Sequence, residues 1–162
     1  MPASPKDLFD RLAALGIATR TVEHPPLFTV EESRRLRGAL PGGHCKSLFL
    51  RDKKERMFLL VALEDCPIDL KVLPELLQCG RLSFGSPERL MRHLGVRPGA
   101  VTPFALINDT AHQVALALQQ ALLAADPLNF HPLVNTLTTA IAPGDLLRFF
   151  QATGHPPRML AL

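Results

Sequence analysis

Two apolar runs, His44 to Leu50 and Arg56 to Leu63, flank five consecutive charged residues, Arg51-Asp52-Lys53-Lys54-Glu55. That pattern leaves the chain few choices. Each run has strand length, and the charged segment must turn in water, which predicts an antiparallel hairpin. A period of two puts Cys45, Ser47 and Phe49 on one face and Lys46, Leu48 and Leu50 on the other. Lys46 therefore shares a face with two leucines. It is a lysine drawn toward an apolar interior or the mouth of a cleft.

The remaining elements are short and well punctuated. Ser4 as N-cap, Pro5 at N1 and Asp7 in an S-x-x-D box open a helix, Leu8, Leu12 and Leu15 give it one apolar stripe, and Gly16 ends it. Ile17 to Glu23 reads as a strand broken by His24-Pro25-Pro26. A second helix opens at Thr29 with Glu32 completing a T-x-x-E box, carries Arg34, Arg35 and Arg37, and ends at Gly38. Leu70, Leu73 and Leu77 have helical spacing, but Pro74 requires that helix to start late or kink. Ser86 caps a helix that Gly95 ends. Phe104 to Asn108 and Gln113 to Leu118 read as strands across a turn at Asp109-Thr110. Leu128 to Phe130 and Thr136 to Ile141 are further short strands, and a last helix runs from Pro143 to Gly154. About seven strands and about five helices, linked mostly by hairpins, predict an α+β fold. Its sheet is mixed and strongly curved, barrel-like, with the helices around it.

Composition narrows the function classes. A chain of 162 residues is one domain, residues 1–162, with a single core. The apolar run from Met57 to Leu63 is far too short to span a bilayer, and no apolar segment follows Met1, so the expected location is cytoplasmic and no membrane partner is expected. Three cysteines without a C-x-x-C pair argue against a disulfide framework and a cysteine zinc site. None of the six histidines forms an H-x-x-x-H pair, so no metal is expected. His44-Cys45-Lys46 suggests an activated thiolate only until the pleat is considered: neighbours on a strand point apart, and Cys45 reads as a buried structural thiol. Phosphate-binding glycine loops and the G-x-S-x-G serine elbow are missing, and no cofactor is expected. The formal charge of +3 permits an anionic partner.

Four segments carry a resemblance. They are Cys45-Lys46-Ser47-Leu48-Phe49-Leu50; Leu82-Ser83-Phe84-Gly85-Ser86-Pro87; Pro98-Gly99-Ala100-Val101-Thr102-Pro103-Phe104 with Ile107-Asn108-Asp109; and Phe130-His131-Pro132-Leu133-Val134-Asn135-Thr136 with Thr138-Thr139. In order and spacing they resemble the prolyl-tRNA editing domains, the YbaK/EbsC-like aminoacyl-tRNA deacylases. The likeness spans roughly residues 20 to 150. Gly99 to Pro103 is similar to the superfamily's G-x-x-x-P loop. The F-H-P-L-V-N-T stretch looks most like the free-standing subgroup that clears alanine from proline tRNA. Ser47 stands where family members often carry Asn, and Pro74 is unusual in the family's helix.

The resemblance implies a set of roles. Lys46 lies in the site, where its ammonium anchors the terminal nucleotide and the ester. Backbone N–H groups of Gly99, Ala100, Val101 and Thr102 face the oxyanion. Phe28, Ser83, Pro103, His131 and Asn135 contact the substrate, with His131 a size gate or hydrogen-bond donor. Arg34, Arg35 and Arg81 contact the acceptor end of tRNA(Pro). Prolyl-tRNA synthetase is a second partner this implies; DNA is not one. Deacylation of cysteinyl-tRNA(Pro) or of a broader set of misacylated tRNAs is the alternative within the class. A tRNA- or synthetase-binding module without chemistry is the alternative outside it.

Overall fold

The computed structural model describes residues 1–26, 31–32, 34–35 and 40–162. Its elements are α1 (Pro5–Ala14), β1 (Thr19–Glu23), β2 (Gly43–Arg51), β3 (Met57–Leu63), α2 (Leu73–Leu77), β4 (Ser83–Phe84) and α3 (Pro87–Leu94). A 3-10 helix (Pro103–Asn108) follows, then β5 (Val114–Gln119), a second 3-10 turn (Gln120–Ala124), β6 (Leu128–Phe130), β7 (Leu137–Ile141), α4 (Pro143–Thr153) and β8 (Arg158–Leu160). The fold is α+β, and the sheet is mixed.

The local signals explain most boundaries. Ser4 and Asp7 cap α1 reciprocally, with bonds of 3.1 and 2.9 Å, and Leu8 and Leu12 bury its apolar stripe. Ser86 Oγ accepts from Arg89 N at the start of α3, and Gly95, at φ +65°, ends it. Pro74 sits in the first turn of α2, where its missing N–H costs nothing. The predicted second helix falls largely outside the described residues; Glu31, Glu32, Arg34 and Arg35 are helical.

One strand prediction fails. Phe104 to Asn108 is a 3-10 helix, because Pro103 presets its first residue and the Thr102 hydroxyl accepts from Phe104 N at 3.3 Å. Pro103, Phe104, Ala105 and Leu106 are all buried, so no period distinguished helix from strand there. Two short strands, β4 and β8, carry no alternation of their own and exist through their partners.

The sheet runs β1-β7-β6-β2-β3-β5-β8, and its two ends do not pair, so it is curled but open. β2 is the pivot. Its first residues, Gly43 and His44, pair in parallel with Leu128 and Asn129 of β6. From Cys45 on it pairs antiparallel with β3, and at Leu50 and Arg51 it also pairs with β4. The predicted alternation on β2 holds: Phe49 and Cys45 belong to the main core with Phe104, Phe130, Phe149 and Phe150. Leu48 and Leu50 pack on the opposite side against Leu73, Leu77 and Leu82.

Candidate active site

Register places a set of polar side chains on one face of the sheet. His44 pairs with Asn129, Asn129 with Ala140, and Ala140 with Arg20, while Thr138 pairs with Val22. Paired residues point to the same side, and residues two apart along a strand do too. Lys46 therefore stands on the face that carries His44, Asn129 and Thr138, opposite Leu128, Phe130 and Ile141 in the core. A groove of about 440 Å³ lies on this face, lined by Arg20, Val22, Asn129, Thr138 and Ala140 among others.

Lys46 is half-buried, and its ammonium donates to the carbonyl of Cys66 in the turn after β3. The neighbouring Cys45 is no thiolate. Burial, reinforced by the Glu64 carboxylate, pushes its thiol up to about 12. His131 follows β6, with Nδ1 2.9 Å from the carbonyl of Leu137. A carbonyl only accepts, so Nδ1 carries the hydrogen. Burial lowers the His131 pKa from its ordinary value, the hydrogen bond to Leu137 opposes that shift, and the His24 ring nearby adds to it. The ring is therefore neutral at pH 7, and Nε2, which has no partner among the described residues, is an acceptor.

The loop carrying His131 is pinned by Leu133, which enters the main core at φ +74° and whose N–H bonds to the His131 carbonyl at 3.0 Å. His24 lies beside it. The ring centroids are 6.0 Å apart, and His24 Nδ1 donates to the Pro25 carbonyl while Nε2 meets Thr138 Oγ1, both at 2.8 Å.

Gly99 sits in a tight turn. Ala100 N–H donates to the Arg97 carbonyl at 3.0 Å, with Pro98 and Gly99 at the corners and Gly99 at φ +89°. This is the Pro-Gly order of a type II turn, and it needs glycine. The turn consumes the Ala100 N–H. Those of Gly99, Val101 and Thr102 have no hydrogen-bond partner among the described residues. Thr102 is fully buried and spends its hydroxyl on Phe104 N. Asn135 comes up to this turn: a Cβ on Gly99 would lie 3.7 Å from Asn135 Nδ2. The structure thus brings Gly99 and Asn135 together and sets Lys46 and His131 near one sheet face. Pro103 is buried at the start of the 3-10 helix.

Other residues lie apart. Ser83 is exposed and pairs with Arg51, five residues along β2 from Lys46, about 16 Å at strand rise. Arg81 and Ser83 share a pocket of about 290 Å³ with Arg51 and Lys53. Arg34 and Arg35 are exposed, and Arg35 lies 3.8 Å from Glu31. Phe28 lies outside the described residues. Sequence reasoning gave no site role to His24, Asn129 or Thr138, although Thr138 lies in the fourth segment of the resemblance. Their alternation was visible, but which strands align them was not.

Known proteins share this sequence and this fold. The family described as "Aminoacyl-tRNA editing domain" matches residues 24–149. The chain is 39% identical over 158 residues to prolyl-tRNA synthetase associated domain-containing protein 1 of Danio rerio, covering 96% of this chain and 86% of that protein. It is 33% identical over 153 residues to the prolyl-tRNA editing protein ProX of Acetoanaerobium sticklandii, covering 94% and 93%. A solved structure of a candidate trans-editing enzyme for prolyl tRNA synthetase shares the fold, with TM-score 0.71 and 22% identity over 99% of this chain and 98% of that one. The chain belongs to the aminoacyl-tRNA editing domain family.

Proposed function

We propose that this protein deacylates alanyl-tRNA(Pro) in trans, acting in the cytoplasm on the acceptor end of the tRNA, alone or beside prolyl-tRNA synthetase. The coarser statement, an aminoacyl-tRNA deacylase of the prolyl-tRNA editing kind, comes with the family. The finer one is supported by the F-H-P-L-V-N-T stretch that holds His131 and Asn135. A synthetase pocket shaped for proline rejects the smaller alanine poorly, since missing methylenes are worth only about 1–3 kcal/mol. A second site that admits alanine and refuses the pyrrolidine ring makes up the difference.

The chemistry needs a water, stabilisation of the developing oxyanion, and release of the ribose hydroxyl. Lys46 is suited to hold the ester and terminal nucleotide through its ammonium. The free N–H groups of Gly99 and Val101 are suited to the oxyanion, with Ala100 and the buried Thr102 keeping the turn in shape. His131, neutral and bonded through Nδ1, presents Nε2 as an acceptor, which fits contact with the substrate ammonium or water and a steric limit on the acyl group. Phe28, Pro103 and Asn135 complete the acyl pocket in this reading. No side-chain nucleophile is invoked, which suits a Cys45 thiol that stays protonated.

The test is a panel of tRNA(Pro) charged with Ala, Cys, Ser and Pro. Rapid loss of alanine with proline retained supports the proposal. Faster loss of cysteine reassigns the acyl group, and no release from any of the four leaves a binding module.

A further inference from the structure

Phe84 is an aromatic side chain left 60% exposed, although its strand is firmly built. Gly85 N–H bonds to the Phe49 carbonyl at 3.0 Å, and a Cβ at Gly85 would come within 2.4 Å of the Phe49 ring. Glycine lets β4 lie directly on that ring. Leu82, two residues before Phe84, is buried, and Ser86, two residues after, caps α3. The chain is thus held on both sides of Phe84, and the exposed ring is displayed rather than loose. Phe84 pairs with Leu50 and so lies on the sheet face that carries Lys46. Lys46 is four residues away along β2, about 13 Å.

Beside β4 is the pocket formed by Arg51, Lys53 and Arg81. None of these three cations pairs with a carboxylate among the described residues. The acid in their midst is already spent. Asp52 is 1% exposed and accepts from Lys54 N, Arg56 N, Arg56 Nε and Gly80 N, at 2.8 to 3.4 Å. Glu55, the other acid of the turn, pairs with Arg89 at 3.3 Å. The pocket is therefore cationic, and it borders β4 on the side away from the Phe84 ring, since Arg51 and Ser83 alternate with Leu50 and Phe84, so that a strand laid over the β4 edge meets both. That combination recognises unpaired nucleic acid, whose bases stack and whose phosphates seek Arg and Lys. A protein partner would find only one ring and three unpaired cations to dock on.

We propose that Phe84 stacks a base of the unpaired 3′ strand of the RNA substrate, on the 5′ side of the esterified nucleotide, while Arg51, Lys53 and Arg81 hold its phosphates. This rests on the aminoacyl-tRNA reading above and adds a base-stacking residue and a phosphate pocket to it. The chain has no Trp and no Tyr, so Phe84→Trp introduces a sole reporter.

The experiment titrates Phe84→Trp with an acceptor-stem RNA hairpin bearing the unpaired 3′ end and with the same hairpin cut flush. Emission should be quenched by the first and little by the second. Phe84→Leu, which keeps apolar bulk without a ring, should bind the overhang hairpin roughly tenfold more weakly. Lys53→Ala should reduce the slope of log affinity on log salt by about one. Equal affinity for Phe84→Leu and the parent, or equal quenching by both RNAs, overturns the platform. A parent protein that clears no aminoacyl-tRNA while Phe84→Trp is quenched by the overhang alone overturns the editing reading and leaves the platform standing. A parent that deacylates without such quenching does the reverse.

Discussion

His24 and His131 face each other with ring centroids 6.0 Å apart, each held by a backbone carbonyl through Nδ1. Burial lowers the His131 pKa from its ordinary value of 6.5, the bond to Leu137 opposes this, and His24 adds to the lowering. Between the lowered folded value and 6.5, the unfolded chain holds a proton that the folded one does not. Stability therefore rises with pH across that window and is lost as pH falls through it, by at most about 1.4 kcal/mol per pH unit. Urea midpoints at pH 5.5 and 7.5 should differ in this direction. His131→Asn keeps a donor for the Leu137 carbonyl without titrating, and should remove that part of the difference.

Lys46→Ala should abolish deacylation with little loss of stability. It removes a half-buried ammonium and one hydrogen bond to Cys66, a net loss of about 1 kcal/mol. If the ammonium holds the reacting ester, the rate should fall about a hundredfold or more. Lys46→Arg keeps the charge but replaces a compact ammonium with a planar fork, and should also be strongly impaired. Single-turnover rates and thermal melts on the same samples separate the effects. Near-normal activity with a lower melting temperature would make Lys46 structural.

Gly99→Ala tests the turn. The new Cβ meets nothing closer than Asn135 Nδ2 at 3.7 Å, so space is not the obstacle; φ +89° is. The strain should cost about 1–2 kcal/mol, and any relief rotates the N–H groups of the loop. We expect deacylation to fall more than tenfold while the protein stays folded. Gly144→Ala, in α4 with open space around its Cβ and no positive φ, is the control and should leave activity unchanged.

Asp109→Ala should be the most destabilising of these changes. Asp109 and His155 are 4% and 3% exposed. The Asp109 carboxylate meets His155 Nε2 and Val114 N at 2.9 Å and Gln113 N at 3.0 Å. Truncation leaves the buried Val114 N–H and His155 Nε2 without partners and takes one from the Gln113 N–H, while His155 Nδ1 keeps Thr153, a loss of about 3 kcal/mol. Differential scanning calorimetry should show a fall of roughly 10 °C. An unchanged melting temperature would mean that water replaces the carboxylate.

Much of the chain was determined locally, by residues that interact within one turn. Ser4 with Asp7, Ser86 with Arg89, Pro74 in its first turn and Gly95 and Gly154 past the helix ends act over a few residues, so the sequence shows them directly. The hairpin of β2 and β3, and the face shared by Lys46, Leu48 and Leu50, follow from apolar runs around a charged turn. Tertiary structure alone decided the rest. Pro103 to Leu106 are all buried, so the 3-10 form of Phe104 to Asn108 rests on Pro103 and Thr102 rather than on any pattern. The bond between His24 and Thr138 joins residues 114 apart in sequence, and the pairing of His44 with Asn129 is set by which strand packs beside β2. Strand order depends on the best burial of the whole core, a quantity no local window contains, and it gathers the polar face around Lys46.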